Sequence, residues 1–347
     1  MDFDLKAGTG TWSEAAQLAR QAHSLGFSGL LFTEASQTPW MSIAAAAMAA
    51  PELTFSTGIA GIAVAFPRSP MISAQVAWEL AGNTQGRFRL GLGSQIRTHV
   101  TRRYGSVFDK PAPQLKDYIL AVRACLAAFQ GDELLNYEGR YYQLTFLNQD
   151  WTPPMHEFGR DIKIDISAVG PYMCRVAGEV ADGVHVHPMH SMDYVHRHLR
   201  PKIGEGLHKA GRSMDDVDLI FPVLAAPGNS SEERSKYVAL ARRQIAFYGS
   251  TPNYGFQFED LGFDGLSQAL RERLKAGDID GMCAMVEDDL LEHFAVVAKW
   301  DDLADQLIAR YRGLASRIVM YFGRQSLLED PQNAGRWQEV AQAVRAA

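Results

Sequence analysis

The sequence predicts a (β/α)₈ TIM barrel with a long helical insertion between the seventh and eighth strands. Eight short apolar runs alternate with amphipathic helical patterns along the chain, and this alternation is typical of parallel strands joined by right-handed crossovers. Eight is also the number of strands that closes a β/α barrel. A chain of 347 residues, 47% of them hydrophobic, can bury the core of one such domain. An open, doubly wound sheet stays possible at this point.

Each barrel strand is predicted from a run rich in Ile, Val, Leu and Phe, and some runs are apolar on both faces, as strands covered on both sides are. The predicted strands cover residues 3–7, 29–33, 54–65, 87–92, 162–168, 183–187, 219–225 and 317–322. Intervening segments carry helix signals such as a serine cap, a proline in the first turn or a glycine after the last turn. These helices are predicted at residues 13–25, 71–81, 113–129, 171–180 and 192–210.

Two segments are longer than a minimal barrel needs. Residues 131–161 contain Trp151, Pro153 and Pro154, and we expect an irregular insertion there, between strands four and five. Residues 230–300 have a helical pattern and lie between strands seven and eight. Long inserts of this kind shape either the substrate mouth or an oligomer interface, and the sequence does not choose between them. We expect residues 1–347 to form a single domain.

Charge and composition exclude several classes of partner. The formal net charge is −6, and the basic residues form no cluster longer than the pairs at 102–103 and 242–243. This argues against nucleic acid and anionic lipid surfaces, since both need clustered Lys and Arg. The three cysteines have no Cys-x-x-Cys spacing, and no apolar run approaches the length of a membrane span. With no secretory signal at the N-terminus, the sequence predicts a cytoplasmic protein that acts on a small-molecule substrate.

The carboxyl ends of the strands are where a barrel of this type places its active site. After strand two come Glu34, which could orient a ring or move a proton, and Trp40, which could stack on a flat cofactor. Alternatively, Glu34 could cap the second helix and Trp40 could fill the space between that helix and the strand. Strand three contains Gly58 and Gly61, where a missing side chain lets another group approach the backbone or simply eases packing.

Strands four and five end in glycine-containing turns. Gly93 is followed by Ser94, Gln95 and His99, although Gly-x-Gly alone is a weak phosphate signal and His99 could equally be a surface histidine. The turn after strand five, Gly170, opens a helix, and a glycine turn at a helix N-terminus offers free N–H groups to an anion. An ordinary strand-to-helix turn has the same sequence.

Strand six carries three histidines. His185 and His187 share one face of the strand, as two metal ligands would, so a metal-dependent hydrolase is an alternative. The ends of strands five and seven, however, supply no third ligand. We therefore predict no metal and expect His187 and His190 to face the ligand pocket, with His185 packed lower down.

Several longer strings resemble the luciferase-like monooxygenase superfamily. They are IAVAFPRSPM, GRFRLGLGSQIRTHVTRRYG, SAVGPYMCRVAGEVADGVHVHP and HFAVVAKWDDLADQLIARY. Within the superfamily they are most similar to the deazaflavin-dependent oxidoreductases of actinobacterial type. The resemblance spans residues 5–322 and implies a (β/α)₈ barrel, often a homodimer, that binds coenzyme F-420 with its ring at the carboxyl ends of the strands.

The resemblance also implies roles for particular residues. A non-prolyl cis peptide in strand three would back the ring, and it would fall between Ala60 and Ile62. The positions that would line the ring are Glu34, Gly61, Ser94, Gln95 and His99. The positions that would cradle the phosphate and its tail are Ala168, Val169, Gly170, Pro171 and Tyr172. His187 and His190 would stand near the substrate.

Two departures from the family affect the expected proton transfer. Ala35 and Ile96 occupy positions where some of these dehydrogenases carry a histidine base and an acid. The remaining proton-donor candidates are Glu34, His99 and His187. The predicted activity is hydride transfer between C5 of F-420 and a small organic substrate. The alternatives are an FMN-dependent monooxygenase and a non-catalytic flavin- or deazaflavin-binding protein. An F-420 or FMN reductase would be an indirect partner.

Overall fold

Eight parallel strands form a closed ring in the computed structural model, which describes residues 1–58 and 63–347. Each strand pairs with the next, β7 pairs with β6 and β8, and β8 pairs with β1. The (β/α)₈ barrel is confirmed, and the open sheet is excluded because the pairings close the ring. The strands are β1 Asp2–Ala7, β2 Gly29–Phe32, β3 Thr54–Thr57, β4 Phe88–Gly93, β5 Lys163–Ser167, β6 Gly183–His185, β7 Asp218–Pro227 and β8 Arg317–Met320.

Helices surround the barrel and fill its insertion. The helices are α1 Trp12–Ser24, α2 Trp40–Ala49, α3 Pro70–Asn83, α4 Pro111–Phe129, α5 Pro171–Val180, α6 Met192–Tyr194, α7 Arg200–Lys209, α8 Ser231–Gly249, α9 Phe256–Glu259, α10 Leu266–Ala276, α11 Ile279–Ala284, α12 Asp288–Phe294, α13 Trp300–Tyr311, α14 Gly323–Glu329 and α15 Asn333–Ala346. No helix in the described part of the chain is both long and apolar enough to cross a bilayer.

Three boundaries differ from the predictions. Helix α1 is capped by Thr11 rather than Ser13, because the Thr11 side chain accepts a hydrogen bond from the Glu14 N–H while Glu14 accepts one from the Thr11 N–H. The predicted strand 54–65 is represented by β3 and a two-residue strand, Ala63–Val64, that pairs with β4. A π-helical turn, Val195–Leu199, separates α6 from α7, where a single helix was expected.

The floor of the barrel interior holds two networks of paired charges. Arg317 binds both oxygens of Asp4 at 2.7 and 2.8 Å. Arg89 binds both oxygens of Asp165 at 2.7 and 2.8 Å and reaches Asp218 at 2.8 Å. The Arg89 charge holds the pKa of Asp165 below its usual range despite complete burial. These cations are therefore satisfied within the barrel floor.

The long connection between β7 and β8 is a helical insertion, as predicted. Helices α8 to α12 pack around their own buried cluster, in which Ile245, Phe258 and Phe294 are central. A short strand, Ala295–Ala298, then pairs with the end of β7 and joins the insertion to the barrel. This anchoring brings the C-terminal part of α8 to the carboxyl rim of the barrel.

The insertion between β4 and β5 also has local structure. A two-stranded antiparallel hairpin, Tyr137–Glu138 with Gln143–Leu144, lies within it. The short 3₁₀ turns Gln149–Trp151 and Glu157–Asp161 follow. His156 holds the segment against α3, since its ring centroid lies 4.3 Å from that of Trp78.

Candidate functional site

An ion pair closes the rim between β2 and α3. The carboxylate of Glu34 accepts hydrogen bonds from both terminal nitrogens of Arg68, at 2.5 and 2.8 Å, and from the backbone N–H of Val64, at 2.8 Å. Arg68 also donates to the Val64 carbonyl at 2.8 Å. With Glu34 only 4% exposed, these contacts fix the end of the third-strand segment. We call Glu34 and Arg68 the rim clamp.

The ring-stacking positions lie around this clamp. Trp40 begins α2, is half-buried, and has the Arg68 guanidinium 5.8 Å from its ring centroid. Ala60 and Gly61, together with the expected cis peptide, lie outside the described residues. Gly58, just before them, packs on the ring of His185, which a Cβ at this position would overlap.

The end of β4 leads into a strained turn. Gln95 has a φ of 55°, an uncommon conformation for a residue other than glycine, and its side chain accepts a hydrogen bond from the Ile96 N–H at 3.0 Å. Ser94 beside it is half-buried, and so is His99, which starts a π-helical turn, His99–Arg103. Arg103 from this turn donates to the carbonyl of Ala35, so the β4 loop covers the β2 loop.

The turn after β5 forms an open helix N-terminus. Gly170 is the N-cap of α5 and provides no side-chain cap, and a Cβ placed on it would meet no atom within 4 Å. Pro171 occupies the first turn, and Tyr172 is 74% exposed. The neighbouring segment is fixed, because the buried Tyr194 hydroxyl donates to the Val169 carbonyl at 2.9 Å and Ala168 packs in the core. Free N–H groups at this terminus suit an anion.

His187 lies at the carboxyl end of β6 as an uncharged hydrogen-bond donor. Its Nδ1 accepts from the Met189 N–H at 3.1 Å, so the proton of the neutral ring is on Nε2. Burial lowers the pKa of His187 to about 4. At neutral pH this histidine can therefore donate a hydrogen bond to an oxygen, but it has no imidazolium proton to transfer.

The structure corrects the expectation for His190, which does not face the pocket. Its Nδ1 donates to the His187 carbonyl at 2.8 Å, so its Nε2 accepts from the Tyr311 hydroxyl at 3.1 Å. The ring lies in the core beside Phe221, with centroids 5.2 Å apart. The strand ends at His185, so the period of two does not fix where the side chain of His190 points.

His185 lies inside the barrel, below His187, as expected. Its Nε2 is 3.6 Å from Asp165, whose two oxygens are already bound by Arg89. Within the described residues, no three His, Cys, Asp or Glu side chains converge as metal ligands would. The two strand-six histidines have different neighbours: His185 meets glycines and Asp165, while His187 meets aromatic rings.

Four rim residues were missed by sequence reasoning. The His187 ring lies 4.5 Å, centroid to centroid, from both Tyr248 and Tyr254 of the insertion. The Tyr248 hydroxyl is 3.1 Å from that of Tyr321, and the Lys6 ammonium lies 3.5 Å from the centroid of the Tyr321 ring. Lys6 could have been found, because it alternates with apolar β1 residues. The tyrosines of the insertion carry no such signal.

The buried histidines make stability depend on pH. The pKa values of His187 and His190 are lowered to about 4 and about 3, so below about pH 6.5 the unfolded chain binds more protons than the folded one. The free energy of unfolding should therefore fall as the pH drops from about 6.5 towards 4. We expect His187→Gln to reduce the loss between pH 7 and pH 5, measured by urea unfolding, by about 2 kcal/mol.

The exposed His208 provides the control for this measurement. His208→Gln should leave the pH dependence of unfolding unchanged, because its side chain is exposed to solvent in the folded protein as it is in the unfolded chain. An identical pH dependence in the His187 variant and the wild type would contradict the burial argument.

The sequence of the chain matches a known protein family over most of its length. The family model of the luciferase-like monooxygenases matches residues 2–317. The chain belongs to the luciferase-like monooxygenase family. An uncharacterized protein of Mycobacterium tuberculosis is 35% identical over 312 residues, covering 88% of this chain and 91% of that protein. A 5,10-methylenetetrahydromethanopterin reductase of Archaeoglobus fulgidus is 25% identical over 264 residues, covering 75% of this chain and 74% of the reductase.

Several solved structures share the fold of this chain at low sequence identity. The F-420-dependent tetrahydromethanopterin reductase of Methanopyrus kandleri has a TM-score of 0.79 at 21% identity, covering 99% of this chain and 98% of its own. An F-420-dependent secondary alcohol dehydrogenase, bound to an F-420–acetone adduct, has a TM-score of 0.73 at 17% identity, covering 99% of each chain. The FMN complex of a Pseudomonas putida Baeyer-Villiger monooxygenase has a TM-score of 0.66 at 16% identity, covering 99% of this chain and 98% of its own. Structures with this fold therefore include enzymes named as F-420-dependent and an oxidoreductase in complex with FMN.

Proposed function

We propose that this luciferase-like protein is an F-420-dependent oxidoreductase that moves a hydride between C5 of the deazaflavin and a small organic substrate. The relationship to proteins named as 5,10-methylenetetrahydromethanopterin reductases carries the proposal, because it spans three quarters of the chain in sequence. The fold is shared with an F-420-dependent tetrahydromethanopterin reductase over 99% of this chain. Two of the compared structures are F-420-dependent by name and have higher TM-scores than the FMN monooxygenase. F-420, when bound, supplies the hydride donor or acceptor at C5.

The residues of the rim fit a phosphate-tailed, planar cofactor. The uncapped N-terminus of α5 offers backbone N–H groups and an open approach at Gly170, which suits a phosphate. Trp40, the first residue of α2, offers an aromatic face next to the rim clamp. We assign the phosphate to α5 and the ring to the space between the ends of β2, β4 and β6.

The proposed roles of the polar residues follow from their bonding. Glu34 is bound on both oxygens by Arg68, so we assign it to holding the rim in place rather than to proton transfer. His187 would donate its Nε2–H to an oxygen of the substrate, and Tyr248 and Tyr254 would exclude water beside it. Burial raises the pKa of both tyrosines, so both are protonated at neutral pH. Glu34 is held by Arg68, and His187 has no imidazolium proton at neutral pH. His99 is therefore the remaining candidate for the proton donor.

Replacing Gly170 with aspartate tests the phosphate assignment. An aspartate at this N-cap would accept the free N–H groups and repel a phosphate, and it would also cap the helix better than glycine. We therefore expect F-420 binding, measured by anaerobic fluorescence titration, to weaken at least about tenfold. The melting temperature should stay equal or rise slightly.

Gly170→Asn separates the two causes, since asparagine caps a helix without adding charge. It should weaken binding less than Gly170→Asp does. If both variants bind F-420 as tightly as the wild type, the phosphate does not lie at α5 and the cofactor assignment fails. The expected homodimer and the indirect F-420 or FMN reductase remain part of the proposal, and the molar mass in sedimentation equilibrium tests the first.

A further inference from the structure

A lysine side chain lies inside the barrel near the carboxyl rim. On β1, Phe3 and Leu5 pack in the outer core, so the alternate residue Lys6 points inward. Its ammonium lies on the ring of Tyr321, 3.5 Å from the centroid. The apolar side chains of the barrel interior that pack with Tyr321 are Leu31, Ile220 and Val319.

Lys6 differs from the other cations of the barrel interior in its partners. Arg89 and Arg317 are each bound to a buried carboxylate by two hydrogen bonds. Lys6 forms no ion pair within 4 Å with any residue that the structure describes. A cation–π contact replaces only part of the hydration that a half-buried ammonium loses. An additional anionic partner would therefore stabilise this position.

The polar groups near Lys6 include hydrogen-bond donors and no free carboxylate among the described residues. The Tyr321 hydroxyl is 3.1 Å from that of Tyr248, whose ring packs on His187 with the Nε2–H available. The carboxylate of Glu34 at this rim is occupied by Arg68. Lys6, the hydroxyls of Tyr248 and Tyr321 and the Nε2–H of His187 therefore combine a cation with O–H and N–H groups, and this set is complementary to a carboxylate.

We propose that Lys6 binds a carboxylate group of the substrate, so that this protein acts on small organic acids. The inference rests on the hydride-transfer function proposed above and narrows its substrate class. Lys6 would hold the carboxylate inside the barrel, where the apolar side chains of Leu31, Ile220 and Val319 limit screening by water. The rest of the acid would then extend towards His187 and the rim.

Calorimetric titration of the full-length protein with paired probes tests the proposal. The probes are benzoate against benzamide and cinnamate against cinnamamide, which match in shape and differ in charge. We expect the wild type to bind each acid more tightly than its amide, and Lys6→Met to weaken acid binding about 10- to 100-fold with little change for the amides. Lys6→Arg should keep the preference for acids.

Lys163→Met is the matched control, since Lys163 begins β5 at the opposite end of the barrel and is exposed. It should leave every affinity unchanged. A wild type without a preference for acids, including one that binds no probe, overturns the proposal, and so does a preference that survives in Lys6→Met.

F-420 binding, measured separately on the same proteins, distinguishes this failure from a failure of the proposed function. An acid preference that depends on Lys6 in a protein that does not bind F-420 supports the carboxylate site and refutes the cofactor. F-420 binding without any preference for acids supports the cofactor assignment and refutes the carboxylate site.

Discussion

Replacing Arg68 with methionine is expected to lower the free energy of unfolding by about 3–5 kcal/mol. The change leaves the Glu34 carboxylate, 4% exposed, without the two guanidinium bonds that hold it at 2.5 and 2.8 Å. Removal of one partner costs more than the pair itself contributes, because a buried charge is left uncompensated. Urea unfolding at neutral pH measures the loss.

A double variant identifies the cause of this destabilisation. Glu34→Gln combined with Arg68→Met removes both charges, so it should be less destabilised than Arg68→Met alone. Arg68→Lys keeps the charge but loses the forked geometry and should fall between the wild type and the methionine variant. If Arg68→Met unfolds at the wild-type midpoint, the rim clamp contributes nothing to the fold.

The second large effect is expected at Gly91, in the middle of β4. A Cβ at this position would overlap the carbonyl oxygen of Thr57 and lie 2.7 Å from its carbonyl carbon. The neighbouring atoms belong to the backbone of β3, which cannot rotate away. The Thr57 hydroxyl also holds the two strands together, since it donates to the Gly91 carbonyl at 2.7 Å and accepts from the Gly91 N–H at 2.9 Å.

Gly91→Ala should therefore destabilise the protein by about 3 kcal/mol or more, beyond the usual cost of overpacking. Gly170→Ala is the matched control, because a Cβ there meets no atom within 4 Å and its φ of −76° suits any residue. Its free energy of unfolding should fall by less than about 1 kcal/mol, the cost of alanine in place of glycine at an N-cap. An unchanged melting temperature for Gly91→Ala would show that β3 and β4 are not in this contact.

The fold could be predicted from the sequence because barrel architecture is encoded locally. Alternation of apolar runs with helical patterns predicted the eight strands, and the helical pattern of 230–300 predicted the insertion. Helix ends were less predictable. The cap of α1 depends on a reciprocal pair of hydrogen bonds between Thr11 and Glu14, and serine two residues later has the same preference for a cap position.

The site was predictable only where strand ends define it. Glu34 and Gly170 lie at the rim because the closed ring brings every strand end to one face. Sequence reasoning could not pair Glu34 with Arg68, since that contact depends on how the third-strand segment turns. It also could not place Tyr248 and Tyr254, because the path of an insertion depends on its own packed cluster and not on the barrel alternation.

Anaerobic titration with F-420 and FMN side by side tests whether this rim binds a deazaflavin. We expect saturable binding of F-420 at micromolar concentration, with FMN binding at least about tenfold more weakly. Tight binding of FMN and oxygen-dependent turnover, with no response to F-420, would show that the protein is an FMN-dependent monooxygenase instead.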